Sequence, residues 1–216
     1  MNNDITSPLR QVLRGLIAPA LALGIAATAV AQNAPAQQTA PPVGVRGTLT
    51  SVADDAIKVH TNRGEDVTVK VGKDTQVRAV TLAKITDIQP GSYIGTAAIP
   101  QPDGSQKALE VHVFPPAMAG TGDGHRAFDL APNSTMTNGT VGDLVVANGR
   151  TLTLKYKGGE KKIIVPDDVP IVNLLPGDKS LLKVGTKVVM FAKKDTDGIL
   201  SASFISAGKD GVTPPM

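Results

Sequence analysis

The chain has 216 residues, 22 Lys and Arg against 19 Asp and Glu for a net charge of +3, and no cysteine. Charges this evenly balanced do not indicate a nucleic-acid or membrane-surface partner, and without cysteine no disulfide can hold the fold together. Stability must therefore come from burial of apolar side chains, which a chain of this length can supply in one or two domains.

Residues 1–31 have the pattern of a cleavable secretory signal peptide. Two arginines precede a short apolar stretch that ends in a small-x-small motif, with Ala29 and Ala31 before the predicted cleavage point at Gln32. A membrane anchor is the alternative, but an anchor needs roughly 20 apolar residues, and this stretch is shorter and contains Pro19. We therefore expect a protein exported to a bacterial periplasm, with no membrane span after cleavage.

Both ends of the remaining chain are predicted to be disordered. Residues 32–42 are rich in Pro, Ala and Gln, which is typical of a mobile tether. Residues 212–216 follow the last strand-like segment, and we predict a disordered tail there.

The rest of the chain contains the same series of strand and turn signals twice, in residues 43–115 and in residues 136–211. Glycines of the turns recur at near-constant spacing through all the strand-like blocks, which is unlikely by chance and indicates a tandem duplication. The corresponding pairs are Gly47 and Gly139, Gly64 and Gly159, Gly91 and Gly185, and Gly104 and Gly198.

Each copy is predicted to be a small all-β module. Apolar and polar residues alternate in segments such as 57–61 and 67–71, which indicates strands with one buried face. Leu82, Ile85 and Ile88 have a short helical spacing, so we predict a helical plug after the third strand of each module. Five or six short strands favour a closed OB-like or SH3-like barrel, because closure removes exposed sheet edges.

Two histidines are candidate metal ligands. The alternation places His60 and His112 on outward strand faces, where Glu110 could join them as a carboxylate ligand for a divalent metal such as zinc. The alternative is that both are ordinary surface residues, and apart from this possible metal we expect no cofactor.

The composition argues against two further classes of function. The chain has two tyrosines, four phenylalanines and no tryptophan, too few aromatic platforms for single-stranded nucleic acid. No serine lies in a Gly-x-Ser-x-Gly turn, and no other catalytic constellation is visible. We therefore predict a protein that is not an enzyme and does not bind nucleic acid.

A glycine-rich connector, residues 116–135, joins the two modules. Its "GTGDGH" run lacks the Lys-Ser/Thr of a phosphate-binding P-loop. Phe128 and Leu130 are large apolar residues that prefer burial. We predict an ordered clasp in which they dock at the seam between the modules, while His125, Arg126 and Asp129 form hydrogen bonds or ion pairs there. A flexible linker and a ligand-binding loop are the alternatives.

The repeated turn pattern and the connector "GTGDGHRAFDLAPNSTMTNGTV" resemble domain-of-unknown-function family 5666, in its tandem two-module form. The resemblance covers about residues 43–209, and the connector is its most specific part. Ala127 and Phe128 stand where that connector has Pro-Trp. The resemblance implies an exported bacterial β protein and supplies no catalytic residues.

These observations predict an exported, periplasmic, non-enzymatic binding or scaffolding protein. It would act through exposed strand faces or through the seam between the modules, with an envelope protein as a possible partner. The alternative is a soluble metal-handling accessory protein of the cell envelope that uses its histidines.

Overall fold

The computed structural model describes residues 41–145 and 150–216, which form an all-β fold. The predicted signal peptide, with Ala29, Ala31 and Gln32, and nearly all of the predicted tether lie outside the described residues. The strands are β1 (Val43–Val52), β2 (Ala56–Thr61), β3 (Asp66–Leu82), β4 (Tyr93–Pro100), β5 (Gln106–Val113), β6 (Gly124–Ala127), β7 (Thr135–Val145), β8 (Thr151–Tyr156), β9 (Gly159–Ile164), β10 (Ile171–Pro176), β11 (Lys187–Lys194) and β12 (Leu200–Gly208).

Helical structure in the described residues is limited to three-residue 3-10 turns. Two of them, Ile85–Asp87 and Lys179–Leu181, lie in the segments where the sequence predicted helical plugs. The third, Pro116–Met118, opens the connector. No helix in residues 41–145 and 150–216 is long and apolar enough to cross a membrane.

The strands form because their β-branched residues alternate with polar ones. In β2, Ile57 and Val59 are buried while Lys58 and His60 are exposed. This period of two places every second side chain on the same face, so one face of the strand can enter a core and the other can meet water.

Five strands close a β-barrel. β1 pairs with β2, β2 with β3, β3 with β12, β12 with β11, and β11 returns to β1. We call this closed circuit the first barrel. Its core contains Leu49, Ile57, Val59, Met190 and Ile205, each with 2% or less of its surface exposed.

A second circuit of strand pairings runs through β4, β5, β9, β8 and β7 and back to β4. We call it the second ring. Its core contains Ile94, Val111, Leu152, Leu154 and Ile163, all fully buried. β10 lies between the two circuits and pairs with β3 of the first barrel and β5 of the second ring.

Neither circuit coincides with a predicted module at 43–115 or 136–211. The first barrel takes β1–β3 from the first range and β11 and β12 from the second, while the second ring takes β4 and β5 from the first range. The reason lies in β3, whose seventeen residues continue past β2 and on to β10. The chain therefore leaves the first barrel before that barrel is closed, and its next two strands are built into the second ring.

A third apolar cluster, here called the seam, lies between the first barrel and the second ring. At its centre β3 and β10 run antiparallel with Val80 opposite Leu174, and both side chains are buried. The seam also contains Tyr93, Phe114, Val172, Val189 and Met216.

The C-terminal residues differ from the disordered tail predicted at 212–216. Met216 is only 9% exposed and packs in the seam, and Val212 donates a backbone hydrogen bond to the carbonyl of Lys209. The side chain of Met216 packs on an apolar surface that residues from both halves of the sequence form together.

Candidate functional site

A cavity of about 320 Å³ opens beside the seam and is walled by both circuits of strands. Small-molecule sites are mostly apolar clefts of roughly this size with a few convergent polar groups. Four phenylalanines line the cavity, namely Phe114, Phe128, Phe191 and Phe204. Three methionines line it as well, Met136, Met190 and Met216. The polar groups on its walls include His112, Asn138, Arg78 and Arg126.

One wall of the cavity contains a buried acid–imidazole pair on β5. Val111 points into the core of the second ring, so Glu110 and His112 point to the opposite face, and their exposures are 0% and 2%. The Ala97 backbone N–H donates to Glu110 Oε1 at 2.7 Å, and His112 Nδ1 lies 3.0 Å from Glu110 Oε2. The imidazole also meets the ring of Phe114 edge-on, with 4.9 Å between centroids.

The buried position of His112 corrects the expectation that it lies on an outward, exposed face. Alternation correctly separates His112 from Val111, but the outer face of β5 at this point is covered. The cover comes from β10, the first barrel and the connector, since Leu174, Val189 and Gly122 line the same cavity.

A glycine makes room for the side chains next to the pair. Gly95 on β4 is opposite His112 on one side and Asn138 on the other. A Cβ atom at Gly95 would overlap both His112 Nε2 and Asn138 Oδ1, so these two polar atoms lie over the same point of the sheet.

Asn138 is held on one side only. Its Nδ2 donates to the Thr121 carbonyl at 3.1 Å, whereas Oδ1 is buried and accepts no hydrogen bond from the described residues. A buried acceptor without a donor costs free energy and requires an explanation. A donor on a bound ligand would satisfy it.

Arg78 provides positive charge at the cavity. Its guanidinium carbon lies 4.6 Å from the ring centroid of Phe204, and burial lowers the pKa of this guanidinium. Within the described part of the chain it has no hydrogen-bond or ion-pair partner. No aspartate or glutamate is among the residues that line the cavity.

The connector forms another wall of the cavity through β6. This short strand pairs with β7, which belongs to the second ring. His125 Nδ1 lies 2.8 Å from Thr137 Oγ1, and its ring stacks on Tyr156 with 6.0 Å between centroids. Arg126 Nη1 donates to the Gly122 carbonyl at 2.9 Å. The pairing with β7 and the two contacts of His125 attach this part of the connector to the second ring, while the Arg126 bond lies within the connector.

The next connector residues contact the first barrel. Asp129 accepts two hydrogen bonds from Arg46 of β1, at 3.0 and 2.7 Å, and these bonds hold the pKa of Asp129 below its usual value. Phe128 lies 5.8 Å from the ring of Phe191 on β11. Leu130 is partly buried and lines a neighbouring cleft with Arg46. The connector therefore contacts both circuits of strands and encloses one side of the cavity.

The histidines predicted as metal ligands lie in different circuits. His60 is on β2 of the first barrel, where its half-exposed ring meets the exposed carboxylate of Asp66 at 2.8 Å. His112 is buried beside Glu110 in the second ring. Among residues 41–145 and 150–216, no group of three His, Cys, Asp or Glu residues could hold a metal ion.

Sequence reasoning missed Arg78, Asn138 and Met216 as cavity residues, and it placed Glu110 on an exposed face as a third metal ligand beside His112, whereas Glu110 is fully buried. Glu110 and His112 are two positions apart on one strand, which places them on the same face, so their contact was predictable. The positions of Arg78 and Asn138 against the cavity depend on which strands become neighbours, and no local pattern in the sequence reveals that.

The chain was also compared with known proteins. No family model matches it, and neither a curated protein nor a solved structure matches it. A function for the cavity must therefore be argued from the residues that line it.

Proposed function

We propose that this protein is an exported, non-enzymatic binding protein that takes a small ligand into the cavity between the first barrel and the second ring. The observation that carries the proposal is the composition of the cavity walls. Phenylalanine and methionine side chains from several strands surround a few polar atoms, among them the buried Oδ1 of Asn138, which lacks a donor in the described residues. An apolar site with a few convergent polar groups is the usual form of a small-molecule pocket.

Binding is preferred over catalysis because of what His112 contacts. Its Nδ1 satisfies the buried carboxylate of Glu110, and its ring packs on Phe114. Both contacts position the imidazole as part of the cavity wall. Phe191 and Phe204, which line the same cavity, are 41% and 44% exposed, so an apolar ligand can reach them from solvent.

We further propose that the chain is a tandem duplication whose halves have exchanged strands. Two hydrogen bonds support this, because they join corresponding positions of the two halves reciprocally. The Gly91 N–H donates to the Val141 carbonyl, and the Gly185 N–H donates to the Leu49 carbonyl, both at 2.8 Å. Export to the periplasm and membership of the family named above stay predictions from the sequence.

The binding proposal is tested with phenylnaphthylamine, a neutral fluorescent probe of apolar sites, and the purified chain from Gln32 to Met216. We expect saturable binding of one probe per chain. Met216→Trp should fill part of the cavity and weaken binding at least tenfold. The matched control is Val184→Trp at a side chain that is 69% exposed.

Circular dichroism would verify that both variants keep their strand content. Absence of saturable binding to the parent chain would overturn the proposal. Equal binding by the parent and by the folded Met216→Trp variant would overturn it as well, since the probe would then occupy another surface.

Metal handling is the second candidate, and one observation favours it. Two thioethers, from Met136 and Met216, line the same cavity as the imidazole of His112. Thioether and imidazole ligands suit Cu(I). A Cu(I) carrier should gain thermal stability on adding the metal, by RT ln(1 + [L]/Kd), and lose that gain on chelation and in Met136→Leu. An unchanged melting temperature would exclude this role.

A further inference from the structure

The cavity has an electrostatic asymmetry that its apolar lining hides. Two cationic side chains, Arg78 and Arg126, are on its walls, and no aspartate or glutamate side chain is among the lining residues. The nearest buried acid, Glu110, is already bonded to the Ala97 N–H and to His112. The side chains that line the cavity therefore include two guanidinium groups and no acid.

Arg78 is the cavity cation that has no hydrogen-bond or ion-pair partner among the described residues. It lies on β3 where that strand is paired on both sides, opposite Pro176 of β10 and Ser206 of β12. One face of its guanidinium is covered by the ring of Phe204. Partial burial of a cation without an anionic partner costs free energy, and the lowered pKa of Arg78 has the same cause.

Arg46 shows how the same chain treats a comparable arginine. The guanidinium carbon of Arg46 lies 5.7 Å from the ring centroids of both Phe128 and Phe191. Unlike Arg78, it donates two hydrogen bonds to a carboxylate, that of Asp129. Of these two aromatic-stacked arginines, one has an internal acid and the other faces the cavity without one.

We propose that Arg78 binds the acidic head of an amphipathic anion whose apolar part lies among the phenylalanine and methionine side chains. This inference rests on the function proposed above and names its ligand class. The planar guanidinium matches a carboxylate in a bidentate arrangement. A cavity of about 320 Å³ is at the lower end of the roughly 300–1,000 Å³ that small-molecule sites span, so the ligand should be small. A medium-chain or arylalkyl carboxylate has this size.

The test is competition against bound phenylnaphthylamine by octanoate, octyl phosphate, octanol and octylamine, which share one tail. We expect octanoate to bind at least tenfold more tightly than octanol or octylamine, since a hydrogen bond to a charged group contributes enough for such a factor. Octyl phosphate distinguishes the two acidic heads, and tighter binding of octanoate than of octyl phosphate would assign the head as a carboxylate.

Arg78→Gln should remove the preference for octanoate over octanol, with both affinities measured against the affinity of that variant for the neutral probe. Arg126→Gln examines the second cation of the cavity, and Arg63→Gln, at an exposed hairpin position, is the matched control. Arg63→Gln is expected to keep the preference for octanoate, and loss of the preference in Arg126→Gln but not in Arg78→Gln would overturn the assignment to Arg78.

Arg78→Leu gives an independent readout in the absence of any ligand. Removing an unpaired, half-buried cation should leave the melting temperature unchanged or raise it, whereas a purely structural stacking role would lower it. If octanol competes as well as octanoate, or if Arg78→Gln keeps the preference, the inference is wrong although the binding function stands. If the parent chain fails to bind the neutral probe, the binding function itself is wrong.

Discussion

Replacing His112 with phenylalanine tests the buried pair at the cavity wall. Phenylalanine keeps an aromatic ring against Phe114 but cannot bond to Glu110, which is fully buried and would retain only the hydrogen bond from the Ala97 N–H. Removing one partner of a buried pair costs about 3–5 kcal/mol. A chain of this size loses about 2–4 °C in Tm per kcal/mol, so Tm should fall by roughly 6–20 °C.

A double-mutant cycle separates the pair from its surroundings. Glu110→Leu and His112→Phe should each destabilise the protein in urea unfolding, while the double variant should recover part of the loss, because neither side chain of the pair then lacks the other, although the Ala97 N–H still loses its acceptor. The matched control is His60→Phe, since His60 also bonds to a carboxylate, that of Asp66, but both side chains are exposed. Such surface pairs contribute about 0–1 kcal/mol.

Either of two results would show that the buried pair does not stabilise the fold in this way. His112→Phe could lower the free energy of unfolding no more than His60→Phe does, which would mean that burial of the pair has no energetic consequence. Alternatively, the losses from Glu110→Leu and His112→Phe could simply add in the double variant, which would mean that the two side chains are not coupled.

Two further predictions concern the connector and the corresponding glycines Gly47 and Gly139. Asp129 and His125 both have lowered pKa values, Asp129 chiefly through hydrogen bonds from an arginine and His125 chiefly through burial, so the folded state releases these protons more readily than the unfolded chain. The stability that these two groups contribute is therefore present above their usual pKa values and is lost as pH falls, first below about pH 6.5 and then below about pH 4. Hydrogen exchange at residues 124–130, corrected for intrinsic rates, should accelerate over the same range of pH. Opening that does not depend on pH would contradict this. A Cβ at Gly47 or Gly139 would overlap a carbonyl oxygen of the adjacent strand, so each Gly→Ala change should cost a similar amount, about 1–3 kcal/mol. Gly72→Ala, with no atom closer than 4.0 Å to the added carbon, is the control. Clearly unequal costs at Gly47 and Gly139 would argue against the equivalence of these two positions.

The strands themselves could be predicted from the sequence. Alternation in residues 57–61 placed Ile57 and Val59 on one face, and both are buried. The all-β class and a closed barrel also followed from the number and spacing of strand and turn signals. These features depend on local backbone preference and on the period of the side chains, and a short segment contains both.

Strand partners and covered faces could not be predicted in the same way. Alternation tells which residues share a face, but it does not tell what lies against that face, so His112 was expected to be exposed and is buried. The cavity arises where side chains from distant strands meet, such as Arg78 of β3 and Phe204 of β12. Met216 has the same explanation, because the surface that covers it is assembled by the whole fold.

The exchange of strands has a consequence for how the chain must fold. Synthesis delivers β1 early, yet Val43 at its start pairs with Ala192 of β11, which is made near the end. The first barrel therefore cannot close until nearly the whole chain is available, and the second ring cannot close until β9 has been synthesised. Folds dominated by such distant pairings form slowly and expose unpaired edges meanwhile. Each circuit is also completed by the other half of the sequence, so we expect the two to unfold in a single transition.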